Sequence, residues 1–128
     1  MGEMSDRPAM TLTATVLSTP DPVALADFYH RLLGWPVVTS EPGWVMLERP
    51  GGGPGLSFHV DEDYVRPVWP SAAGEQQPMS HLDIAVSDLG SAREFALAQG
   101  AVVAEFQPQQ EVLVCLDPDG HPFCLYRP

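Results

Sequence analysis

The 128 residues carry 17 acidic side chains against six basic ones, for a formal net charge of −11, and all six cations are Arg. Such a balance works against a nucleic-acid partner, whose phosphates need clustered cations, and against anionic membrane surfaces, while the missing Lys removes Schiff-base and P-loop chemistry. The length suits a single domain, the 45% hydrophobic content is ordinary for a globular chain, and no apolar run approaches the ~20 residues of a membrane span.

Residues 1–10 read as a flexible polar tail. They contain no apolar h-region of a signal peptide, and Gly2 is not followed by the Ser or Thr of a myristoylation motif. A cytoplasmic location is therefore expected, and in that compartment Cys115 and Cys124 stay reduced. Leu12 to Thr19, rich in Thr, Val and Leu, reads as a strand. Asp21-Pro22 is a helix start, with Asp as N-cap and Pro at the first helical position. Leu25, Phe28, Tyr29 and Leu32 then fall on one helical face, and Gly34 ends the element. Trp35 to Thr39, Trp44 to Arg49 and Leu56 to Val60 read as strands, separated by the turn segments Glu41-Pro-Gly and Pro50-Gly-Gly-Gly-Pro. The latter has no following helix and is a turn, not a phosphate cradle. Residues 61–78, with three prolines near Tyr64 and Trp69, form a long linker of the kind that often carries function.

After the linker the order repeats. His81 to Val86 reads as a strand. Asp88 caps a helix whose Ala92, Phe95, Ala96 and Gln99 share a face and which Gly100 ends. Val102 to Phe106, Glu111 to Asp117 and Pro122 to Arg127 read as strands, the last two joined at Asp117-Pro-Asp-Gly. A constant offset of 67 pairs Asp21 with Asp88, Phe28 with Phe95 and Ser57 with Cys124, with single-residue gaps after each helix and before the last strand. The chain is thus expected to be an α+β domain, residues 11–128, of two β-α-β-β-β modules: module one 11–60, the linker 61–78 and module two 79–128. Neither module could bury a core alone. Together, two curved sheets of about four strands could enclose a concave, barrel-like pocket with the helices outside.

Side chains alternate across a strand. Leu82, Ile84 and Val86 point toward the helices, and His81, Asp83 and Ala85 away from them. Likewise Leu56, Phe58 and Val60 leave Ser57 and His59 opposite, and Phe123 and Leu125 leave Cys124 and Tyr126 opposite. These polar sets are expected to line the pocket, with Trp69 either closing its mouth or packing at a dimer contact. His30 and His121 are read as structural. A hairpin turning at Asp119-Gly120 would make Cys115 and Cys124 direct cross-strand neighbours, either a redox or soft-metal pair or two inert buried thiols.

The paired modules, the Ser-Thr-Pro-Asp entry to a helix carrying Phe28-Tyr29, the Asp88-Leu89 helix start and the closing Asp117-Pro-Asp-Gly-His-Pro-Phe-Cys-Leu resemble the vicinal oxygen chelate superfamily. That group includes glyoxalase I, extradiol dioxygenases, fosfomycin-resistance enzymes and bleomycin-resistance binding proteins. The resemblance covers about residues 11–128 and implies their fold, a homodimer and, in metal-using members, four ligands from four strands. Those four positions here hold Ala14, Ser57, His81 and Cys124. Ala14 cannot ligate, Ser57 is a poor ligand and Cys124 replaces a carboxylate. A divalent metal (Zn, Ni, Mn or Fe) would have His81, Cys124 and His59 as its best set, with Asp83 in reserve. The ordinary alternative is a His81 that hydrogen-bonds Asp83, a ligand or water.

Two functions are consistent with these residues. One is a metal-free module that binds a small polar or aromatic molecule through Ser57, His59, Trp69, His81, Asp83 and Tyr126, with Cys124 in the pocket wall. The other is a lyase, isomerase or dioxygenase-like enzyme, either with an unusual metal set or with His59 and His81 as acid and base. The acidity disfavours a strongly anionic ligand unless Arg49, Arg66 or Arg127 lines the mouth.

Overall fold

The computed structural model describes residues 6–128. Residues 1–5 of the expected tail lie outside the described residues, and residues 6–10 are exposed and without regular structure. The element order is β1 (Ala14–Thr19), α1 (Pro22–Leu33), β2 (Val37–Glu41), β3 (Trp44–Leu47), β4 (Gly55–Val60), β5 (Leu82–Ala85), α2 (Leu89–Gln99), β6 (Val102–Val103), β7 (Val112–Leu116) and β8 (Pro122–Tyr126). Two four-stranded mixed sheets result, ordered β1-β4-β3-β2 and β5-β8-β7-β6, with the first pair of each sheet parallel and the others antiparallel. This is the expected pair of β-α-β-β-β modules. Among the described residues no helix is long and apolar enough to cross a membrane.

The helices begin where the sequence places them. The Asp21 side chain accepts from Ala24 N at 3.2 Å, and the Asp88 side chain accepts from Ser91 N at 3.0 Å and from the Ser91 hydroxyl at 2.6 Å. Those bonds hold the Asp88 carboxyl below its ordinary range. Gly34 and Gly100 close the helices in the left-handed conformation.

Most strands shift by a residue or two at their ends from the expected ranges, and three of these differences have a visible cause or consequence. Trp35 and Pro36 stay outside β2: Pro36 has no N–H to give a ladder, and the Trp35 carbonyl bonds His30 Nδ1 at 2.6 Å. β6 shrinks to two residues because the Gln107 side chain takes over the edge of β7. It donates to Ala104 O and Val114 O (2.8 and 2.9 Å) and accepts from Val114 N (2.9 Å). β1 starts at Ala14, leaving Leu12 exposed.

The final hairpin turns through three residues, Pro118-Asp119-Gly120, closed by Asp117 N donating to His121 O (3.0 Å). Gly120 takes φ 92°, the left-handed position of such a loop. A two-residue turn would have paired Cys115 with Cys124. The extra residue instead pairs Cys115 with Phe123 and Val114 with Cys124. A slip of one residue reverses the face, so the two thiols point to opposite sides of the sheet: Cys115 into the core under the helices, Cys124 away from it. The cross-strand thiol pair that a turn at Asp119-Gly120 would have made is therefore absent, and both cysteines are free and buried.

One core serves both modules. Leu17, Leu25, Phe28, Tyr29, Val45, Leu47, Leu56 and Phe58 from the first pack with Ala96, Cys115, Phe123 and Leu125 from the second. The Phe123 ring lies 6.0 Å from Phe28 and 6.2 Å from Tyr29. The modules thus pair within the chain. The sequence repeat does not extend to burial, however: Phe28 is fully buried, whereas its counterpart Phe95 is 49% exposed and Ala96 takes the inward position.

Gly55 opens β4 between Ala14 and the end of β3. A Cβ there would run into the backbone carbonyl of Leu47, which cannot rotate away. Gly55→Ala is therefore expected to lower unfolding stability by about 1–3 kcal/mol, measured by urea titration. An unchanged midpoint would mean that the strands part without cost.

Candidate functional site

The parallel pairing of β5 with β8 sets Asp83 opposite Cys124. His81, two residues before Asp83, projects to the same side by strand alternation. The result is a cluster in which one ligand-type atom each from His81, Asp83 and Cys124 lies within 4.8 Å of the others. His81 Nε2 and Asp83 Oδ1 are 3.2 Å apart, and their side chains are 47% and 61% exposed, whereas Cys124 is buried beneath them. Burial, aided by the nearby Asp83 charge, pushes the Cys124 thiol up, and burial raises the Cys115 thiol to about 11. Neither thiol is tuned as a nucleophile.

The cluster forms one wall of a cavity of about 370 Å³ whose other walls are Trp69, Pro108, Gln109, Val112, Val114 and Tyr126. Trp69 reaches it from the linker. Its indole N–H donates to Phe106 O at 3.0 Å, its ring meets Phe106 at 6.4 Å, and it packs on the small cluster of Ala104, Val114 and Cys124. Trp69 thus lines this cavity, held in place by its bond to Phe106. A second cavity, of about 550 Å³, lies between β1, β5 and the linker, lined among others by Ser18, Asp61, Asp63, Gln76, Gln77 and His81. His81 faces both cavities. It follows a tight turn in which Ser80 N donates to Pro78 O at 2.7 Å and Met79 adopts φ 66°, a left-handed backbone unusual for a side chain of that size.

The other expected pocket residues lie on the first sheet. His59 is exposed on β4 with its ring 6.4 Å from Trp44, and it lines neither cavity. The structure therefore brings Asp83, not His59, to His81 and Cys124. Ser57 is buried, and its hydroxyl finds no partner among the described residues. The offset of 67 explains the asymmetry: 14 + 67 = 81, 16 + 67 = 83 and 57 + 67 = 124, so the triad positions of module two are Ala14, Val16 and Ser57 in module one. Val16 pairs with Ser57 as Asp83 does with Cys124. The three positions thus carry His, Asp and Cys in module two but Ala, Val and Ser in module one.

Alternation revealed His81, Asp83, Cys124 and Tyr126. It could not reveal Gln109, Pro108 or the Gln76–Gln77 wall, which sit in loops without a period. For Gln76 and Gln77 the one available signal was the length of the linker, and for Pro108 and Gln109 there was none. Arg49, Arg66 and Arg127 line neither cavity, and Asp61, Asp63 and Asp83 do. His121, read from the sequence as structural, sits between the two modules at the edge of the larger cavity. Its Nδ1 faces Asp117 Oδ2 at 2.8 Å and its Nε2 faces Ser18 O at 2.9 Å.

Residues 14–126 match the family model described as a glyoxalase-like domain. No curated protein matches the chain. Among solved structures it is similar to a glyoxalase/bleomycin resistance protein/dioxygenase family enzyme from Burkholderia phytofirmans PsJN, at 18% identity and TM-score 0.71, covering 92% of this chain and 98% of that one. It is also similar to a glyoxalase-related enzyme from Fulvimarina pelagi (19%, TM-score 0.67, 94% and 89% covered) and to TioX from Micromonospora sp. ML1 (21%, TM-score 0.62, 92% and 98% covered).

Proposed function

Because the chain belongs to the glyoxalase-like domain family of the vicinal oxygen chelate superfamily, we propose that it binds a small organic molecule in the cavity over β5, β8 and β7. The observation that carries this reading is the cavity itself, in which Trp69, tethered to Phe106, and the apolar Val112 and Val114 meet the polar His81 and Asp83. Its size suits a ligand of a dozen or so heavy atoms, and an apolar site with a few convergent polar groups is the usual form of a small-molecule site. Trp69 and Tyr126 offer faces to a flat apolar part. His81 and Asp83 offer a donor and an acceptor to a polar end. With three Asp and no Arg along the two cavities, a neutral or amine-bearing ligand is favoured over an anionic one.

The superfamily's four-ligand metal does not fit these residues. Ala14 has no donor atom, and Ser57 offers only a neutral hydroxyl, a poor ligand for such an ion. Binding therefore needs no metal drawn from both modules. A second reading rests on the 3.2 Å His81–Asp83 pair: a carboxylate that orients an imidazole is the arrangement of a general base, and a bound substrate with an acidic C–H or O–H could pass its proton to His81. We place the protein in the cytoplasm, working on a free small molecule rather than on nucleic acid or membrane. The exposed Val37 and Val38 on edge strand β2 support a homodimer.

A thermal-shift screen of neutral and amine-bearing aromatic compounds tests the binding reading. A compound that stabilises the protein should bind about tenfold or more weakly to Trp69→Ala, as expected for loss of a buried aromatic anchor, and unchanged to His59→Ala. No stabilising compound, or equal losses in the two variants, would contradict it.

A further inference from the structure

The geometry points to a metal site of a different make from the superfamily's: His81, Asp83 and Cys124 form a three-ligand site for a borderline-soft divalent cation such as Zn2+, supplied by module two alone. The inference stands whether or not the cavity takes an organic ligand. The three side chains offer one imidazole nitrogen, one carboxylate oxygen and one sulfur, a donor set that suits Zn2+ and Co2+ and is wrong for Mg2+ or Ca2+. Their atoms lie within 4.8 Å of one another. A tetrahedral ion would bring such ligands to about 3.3–3.6 Å apart. The His81–Asp83 pair already spans 3.2 Å, so the remaining adjustment is a rotamer change of two exposed side chains.

Neither His81 nor Asp83 is needed by the fold. Both are exposed and, among the described residues, their side chains make a polar contact only with each other, and an exposed pair of this kind adds little stability. They nevertheless stand over a buried sulfur that faces the same side, an arrangement which the β5–β8 register imposes and which module one lacks. All three side chains line the cavity that Trp69 also lines, and an ion held by three protein ligands keeps a fourth position for water or substrate, as reactive sites do.

The test is Co2+ titration of the reduced full-length protein, followed by absorption. A near-ultraviolet sulfur-to-cobalt charge-transfer band that saturates at one equivalent is expected, and it should be displaced by Zn2+. It should vanish in Cys124→Ser. Co2+ binding to His81→Ala and to Asp83→Asn should weaken by more than about tenfold, since loss of a direct ligand exceeds the loss of an outer-shell partner. His59→Ala and Cys115→Ala should leave the band intact. Circular dichroism of each variant separates ligand loss from unfolding, and Asp83→Asn, altering an exposed group, serves if a cysteine variant fails to fold. Absence of the band in the wild type, its persistence in folded Cys124→Ser, or full-affinity binding by Asp83→Asn would overturn the site.

Discussion

Asp117→Ala is expected to destabilise the protein by about 3–5 kcal/mol, the range for removing one member of a buried hydrogen-bonded charge pair. Asp117 is 1% exposed. Its carboxylate accepts from the Tyr29 hydroxyl at 2.7 Å, from the backbone N–H of Asp119 and His121 at 2.9 and 3.0 Å, and from His121 Nδ1 at 2.8 Å. Around it the hairpin docks on module one, with the Thr19 hydroxyl donating to Asp119 at 2.6 Å and the Tyr64 hydroxyl donating to Asp119 O at 2.8 Å. Burial and then the Asp117 charge push the Tyr29 and Tyr64 hydroxyls up, so both remain donors at any physiological pH. Asp117 thus ties the final hairpin to α1 directly, and to the end of β1 through His121, with Asp119 adding a second link. Urea unfolding of Asp117→Ala checks the loss. A change below 1 kcal/mol would mean that water replaces all four donors at no cost.

The same network gives the stability a pH dependence. Burial alone would lower the His121 pKa, but the hydrogen bond and charge of Asp117, followed by the Ser18 carbonyl, outweigh it and raise the value. An imidazole with an acceptor at each nitrogen is best satisfied when both carry protons. A group whose pKa is raised in the folded state stabilises fully below its unfolded value of about 6.5, and that contribution is lost as the pH rises through the raised folded value. The difference in urea midpoint between wild type and His121→Gln should therefore be largest under mildly acidic conditions and shrink as the pH rises. A difference that grew with pH would reverse the assignment.

Phe28→Ala should cost about 3–5 kcal/mol, and Phe95→Ala less than about 1 kcal/mol, although the two residues occupy equivalent places in the repeat. Phe28 is fully buried, 4.9 Å from Tyr29 and 6.0 Å from Phe123 between ring centroids, whereas Phe95 is half-exposed. Thermal or urea unfolding of the two variants reads the contrast directly. Equal losses would show that α2 buries Phe95 in solution, against a second copy of the chain for instance.

That contrast marks where the sequence stops being informative. The offset of 67 discloses the module, its helix caps and its strand order, because caps and turns depend on residues a few positions apart. It does not disclose which repeat keeps a large aromatic inside, since Ala96 suffices where Phe28 and Tyr29 fill the shared core from the other side. Alternation put His81, Asp83, Cys124 and Tyr126 on one face, because period-two order survives in any register. The neighbour of Cys124, by contrast, depends on the number of residues in the final turn, and one residue more exchanges Cys115 for Val114. His59 stood ahead of Asp83 as the third ligand beside His81 and Cys124, because a single strand's pattern does not say which sheet lies beside it, and the structure reverses that order. The Asp117 network was hidden for the same reason: Tyr29 is 88 residues away and Thr19 bonds Asp119 across 100. Only the motif Asp117-Pro-Asp-Gly-His hinted at something beyond a turn.

The claim that the cavity over the second sheet is the binding site is tested most directly by nuclear magnetic resonance. Amide and indole shifts of isotope-labelled protein would be followed while compounds are added. Saturable shifts centred on the Trp69 indole, His81, Val114 and Tyr126, with β2 and β3 unmoved, are the predicted result. Saturable shifts confined to the β1-β4-β3-β2 sheet around Trp44 and His59, with the Trp69 indole unmoved, would contradict it.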